Sequence, residues 1–148
     1  DIQRGGDLMS IIDDAIARLQ YHALAITSTT VRGAPSYPVE DATVLPLAIT
    51  YISDGTGSID DATTARLLMT VKVDFHVNRM SMKSAYTELN NIIPEYLRRL
   101  AADPTLNGKV DTIVFPVSFQ VMPAQWDRVV TQMASFSVPL KFRETPTT

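Results

Sequence analysis

Residues 65–77 hold the feature that most restricts how this chain can fold. Leu67, Met69, Val71, Val73, Phe75 and Val77 share one parity, while Arg66, Thr70, Lys72, Asp74 and His76 share the other, with Leu68 the exception. A period of two held this long fits a strand and no helix. It predicts a sheet with one packed face and one polar face. The chain must then supply an apolar layer to cover the packed face.

Two amphipathic helices can supply it. Leu8, Ile11, Ile12, Ala15, Ile16 and Leu19 recur every three or four residues, which predicts a helix over 7–22, capped by Asp7. A second helix starts after Ser81 and carries the stripe Tyr86, Leu89, Ile93, Tyr96, Leu97 and Leu100. Pro94 lies inside that stripe and predicts a kink or break near Asn90-Asn91. Asp103-Pro104 stops the helix, because the residue before a proline is pushed out of helical space. In the ADPTLNGKV segment that follows, Asn107-Gly108 supplies positive-φ positions and Leu106 can tuck under the helix end.

Three more strands are expected. Leu45, Leu47, Ile49 and Tyr51 alternate over 44–52; Ile113, Phe115, Val117, Phe119 and Val121 over 111–121; Ala134, Phe136, Val138, Leu140 and Phe142 over 130–143. Pro46, Pro116 and Pro139 mark edges, strand starts or bulges. Residues 25–43, broken by Gly33, Pro35 and Pro38, read as an extended loop with room for a short strand at Ala25–Thr29. Ser53–Thr64, SDGTGSIDDATT, reads as a mobile loop between two antiparallel strands, and Met122–Asp127 as a connection. The order α-β-β-α-β-β gives a single two-layer α+β sandwich over residues 1–148, with a mostly antiparallel sheet of about four main strands. Residues 1–6 and 144–148 read as loose tails.

The chemistry-bearing residues are few. With no cysteine among 148 residues, disulfides, thiolate catalysis and cysteine zinc sites are excluded. A net charge of −3 and a largest basic cluster of only Arg98-Arg99 argue against coating nucleic acid. No apolar run is long enough for a helical membrane span, and DIQRGGDLMS lacks the build of a signal peptide. His76 and Asp74 share a strand face, but no further ligand or base accompanies them, so a solvated or contact-making face is the expectation. Asp13 and Asp14 diverge by about 100° on a helix. Asp54, Asp60 and Asp61 lack calcium-loop spacing. Gly55-Thr56-Gly57 lacks the remaining parts of a phosphate loop. No catalytic, cofactor-binding or metal site is assigned, and the expectation is a protein that is not an enzyme. Trp126, beside Pro123, is an interface candidate.

The order of these parts resembles the tail terminator (tail completion) proteins of long-tailed bacteriophages, the lambda-type family. Four features carry the likeness: the amphipathic first helix, the proline-rich segment after it, the strand LLMTVKVDFHV running into MSMKSAYTELNNIIPEYLRRLAADPTLNG, and the final strands ending in VPLKF. The resemblance implies a virion structural protein that assembles in the host cytoplasm into a ring, typically a hexamer. That ring would cap the tail tube at its head-proximal end, stop tube polymerisation and offer a surface to a head-completion protein, with DNA passing through the lumen. Its partners would be other copies of itself, the tube protein and the connector, with no cofactor and no membrane. Residues expected at subunit or tube contacts, or lining the lumen, are Asp54, Asp60, Asp61, Arg66, Lys72, Asp74, His76, Arg98, Arg99 and Trp126. Another neck component, a tube subunit or a small ligand-binding α+β domain are the competing expectations.

Overall fold

The computed structural model describes residues 7–36, 45–61, 64–126 and 129–144. Its elements are α1 (Asp7–Leu24), β1 (Leu47–Asp61), β2 (Thr64–Asn78), α2 (Met82–Ala101), β3 (Thr112–Ile113), β4 (Ser118–Trp126) and β5 (Val129–Glu144). All strand pairs are antiparallel and form one open sheet, ordered β1-β2-β5-β3, with β4 also beside β5. The architecture is the two-layer α+β arrangement that the alternation predicts.

β2 and β5 form the centre, paired without a register slip from Ala65↔Glu144 to Asn78↔Thr131. Their inward parity is the predicted one. Val71, Val73, Phe75 and Val77 on β2, and Ala134, Phe136, Val138 and Leu140 on β5, are at most 1% exposed. Phe75, Phe136 and Tyr96 of α2 meet edge to face, with ring centroids 4.9–5.7 Å apart. Such aromatic pairs add about 0.5–1.5 kcal/mol each beyond the area they bury. The Tyr96 hydroxyl, driven well above its ordinary pKa by burial, donates to the Leu19 carbonyl at 3.3 Å and ties α2 to α1.

The structure departs from the sequence reading in several places. Ser53–Asp61 is not a mobile loop but the outer half of β1. An irregularity at Ser53 shifts the register between Ile52 and Asp54, after which Asp54↔Thr70 through Ser58↔Arg66 continue the ladder. A Cβ on Gly55 would sit 2.8 Å from the Leu68 carbonyl oxygen. The glycine thus permits close strand approach rather than flexibility, and the polar residues reflect an exposed edge.

The strand expected over 111–121 is split. The chain leaves the β5 ladder after Ile113, passes the cis Phe115–Pro116 peptide, and rejoins at Ser118. Met122–Trp126 then belongs to β4 and is not a connection. Pro139 lies inside the sheet, but opposite the gap between β3 and β4, where its missing N–H breaks no second ladder.

α2 runs unbroken through Pro94. Its buried positions are Ala85, Leu89, Ile92, Tyr96 and Leu100; Tyr86, expected in the core, is 42% exposed and its hydroxyl accepts from Gln132. Residues 25–29 form no strand. Thr27 and Ser28 instead donate to Glu95, and Thr29 donates to Glu88, so the segment lies along α2. Farther on, the backbone of 32–35 bonds to Pro46, Ala48 and Thr50 and shields the start of β1.

Candidate functional site: an arginine-lined cleft and a polar sheet face

α1 and α2 end side by side, and the ADPTLNG turn closes the space beneath them. Arg18, Tyr21 and His22 come from the last turns of α1, and Glu95, Arg98 and Arg99 from the last turns of α2. With Thr27, Ser28, Ala102 and Asp103 they line an open cleft of about 660 Å³. Asp103 is its hub. Oδ2 accepts from Arg18 Nε at 2.8 Å and lies 2.7 Å from His22 Nε2, while Oδ1 accepts the Asn107 N–H at 2.8 Å.

Arg99 Nε lies 3.3 Å from His22 Nδ1 and can only donate, so Nδ1 accepts. His22 is then neutral, with its proton on Nε2 directed at Asp103. Burial lowers its pKa, against the opposing pull of Asp103, in keeping with that tautomer. Burial alone would raise the Asp103 pKa; the hydrogen bonds from Arg18, His22 and the Asn107 amide outweigh it and hold the carboxyl near 2. Glu95 is likewise held near 2, because the donors of Thr27 and Ser28 outweigh the upward effect of burial. Tyr21 lies under Arg18, whose guanidinium carbon is 4.3 Å from the ring centroid.

The sheet's second face holds a different polar set. Asp74 is 6% exposed and accepts from Tyr51 Oη at 2.7 Å and from Ser135 Oγ. His76 is 2% exposed, with Nδ1 3.0 Å from Thr131 Oγ1. Burial pushes the His76 pKa down to about 4 despite the nearby Asp74 charge. Burial, with Asp74 as acceptor, raises that of Tyr51. The expectation of a solvated or contact-making Asp74-His76 face is therefore corrected: both side chains are buried and hydrogen-bonded to Tyr51, Ser135 and Thr131 of neighbouring strands. Lys72 on this face is half-buried and Arg66 is exposed, beside a smaller hollow shared with Thr56, Ser58, Leu68, Val114 and Lys141.

Of the other residues singled out in the sequence, Asp54 is exposed on the outer half of β1, in a strand and not in the expected loop. Asp60 and Asp61 end β1, and Trp126 ends β4 rather than lying in a loop. The side chains of these last three lie outside the described residues. Arg98 and Arg99 do meet in one place, the cleft. Arg18, Tyr21, His22, Glu95 and Asp103 are site residues that the sequence reading passed over. The signal available for them was the basic residues in the last turn of each helix, His22 in α1 and Arg98 and Arg99 in α2. No known family matches this chain, and no curated protein matches it.

Proposed function

We propose that the chain is a ring-forming virion structural protein of the tail terminator kind: it caps a tail tube, halts its growth and presents a joining surface to the head. The observation that carries this reading is the sheet's pair of open edges. β1 beyond Thr50 and the outer side of β4 have no strand partner among the described residues, and they lie at opposite ends of one sheet.

The two edges differ in sequence, so contact between copies through them is head-to-tail. Such contact closes into a ring when the rotation between copies permits, and otherwise grows as a filament. Strand addition at an open edge supplies main-chain hydrogen bonds. Pro123 in β4 and the irregularity in β1 limit indiscriminate pairing. Asp74 is spent on Tyr51 and Ser135, and His76 on Thr131, which suits a contact protein better than a catalyst.

The test is multi-angle light scattering with negative-stain imaging of the full chain across concentration. Single closed rings of one stoichiometry are expected. Open filaments of growing length would reassign the chain to the tube itself, and a strict monomer at all concentrations would remove the ring reading.

A further inference from the structure

The cleft between the ends of α1 and α2 carries more positive charge than its own carboxylates use. Glu95 is committed to Thr27 and Ser28, and Asp103 to Arg18, His22 and the Asn107 amide. Arg18 and Arg99 are each held through Nε, which leaves their terminal amino groups without a hydrogen bond to the described residues. Arg98 is exposed, and its side chain makes no hydrogen bond or ion pair with the described residues. The result is three guanidinium groups on one cleft, two of them pre-oriented, in a chain whose net charge is −3. Pre-orientation matters because ordering a long side chain on binding costs about 0.5–1.5 kcal/mol.

We propose that this cleft docks an acidic peptide segment of a partner protein, whose carboxylates pair with the terminal guanidinium groups of Arg18, Arg98 and Arg99. Planar forks match carboxylates in bidentate geometry. A peptide fits better than a free oxyanion for two reasons. The cleft, at about 660 Å³, has room for several residues, and Tyr21, half-exposed on its wall, offers a flat apolar surface beside the charges. Both helices also end here, and the partial negative charge of their last carbonyls opposes a bare dianion. A peptide backbone brings N–H groups to those carbonyls while its side chains supply the anions. The inference stands on the cleft alone and does not depend on ring formation.

The experiment is fluorescence anisotropy on the full chain with a labelled ten-residue peptide rich in Asp and Glu. Its Asn/Gln counterpart and inorganic phosphate serve as controls. Salt-sensitive binding of the acidic peptide is expected, with little binding of the neutral one. Arg98→Glu, at a position with no described partner, should weaken binding by about tenfold or more, while Arg98→Lys should retain most of it. Three results would overturn the proposal: no binding of the acidic peptide, binding unchanged in Arg98→Glu, or phosphate displacing the peptide at equal or lower concentration. The last would assign the cleft to a free oxyanion.

Discussion

Asp103 shows how much one side chain can organise. One oxygen caps the turn through the Asn107 amide, and the other gathers Arg18 and His22 from α1. The turn itself is strained. Leu106, Asn107 and Gly108 have φ of 48°, 58° and 80°, and the left-handed region costs a residue such as leucine about 1–2 kcal/mol. Leu106 is fully buried, so its packing and the Asp103 bond offset that strain. Asp103→Ala is expected to lower stability by about 2–3 kcal/mol in urea unfolding, the range for losing hydrogen bonds to a charged group. Asp103→Asn, which keeps an acceptor for Asn107, should lose less. Because the folded pKa of Asp103 lies below the unfolded value, its contribution is present above about pH 3.8 and fades as pH falls towards 2. His76 acts at higher pH. Its pKa is lowered from 6.5 to about 4, so below pH 6.5 the unfolded chain takes up a proton that the folded chain refuses. Stability should therefore fall with pH between 6.5 and 4, by about 1.4 kcal/mol per unit from this residue at most. His22 shifts in the same direction and adds to the slope. Unfolding of His76→Gln, measured across that range, should show a shallower pH dependence than wild type.

At the scale of elements, the outer half of β1 is the least expected. Its composition is that of a loop, yet thirteen residue pairs join it and the rest of β1 to β2. What makes it a strand is its partner: β2 presents a long, continuous ladder, and a glycine-bearing chain can lie against it at close range. Gly55→Val should therefore disrupt the pairing of Asp54–Ser58 with Arg66–Thr70. A loss of about 1–3 kcal/mol is expected, the usual cost of overpacking. Hydrogen exchange locates the effect: amides of 54–58 and 66–70 should lose protection, while those of α2 keep theirs. α2 makes the complementary point. Pro94 removes one backbone donor, but Leu89, Ile92, Tyr96 and Leu100 on both sides of it are buried against the sheet and α1. That burial outweighs a single missing bond and keeps the helix continuous.

At the scale of the molecule, two helices close one face of the sheet, and two of its edges have no strand partner among the described residues. If assembly through those edges drives ring formation, the oligomeric fraction should rise with concentration and resist added salt, since main-chain pairing is screened little. Sedimentation velocity at low and high salt checks this. Binding at the arginine cleft should instead fall steeply with salt. By itself the sequence determined the layers, the two helices, the inward parity of β2 and β5, and the helix stop at Asp103-Pro104. Each of these is written in a local period or a local backbone restriction. It did not determine the strand character of Ser53–Asp61, the split at Pro116, the enclosure of Asp74 and His76, or the union of Arg18, His22, Arg99 and Asp103. Those depend on which surfaces come together, as far as 85 residues apart in the chain. There a partner's ladder, a covering side chain or a shared carboxylate overrides what a segment prefers alone, and only the tertiary structure supplies that partner.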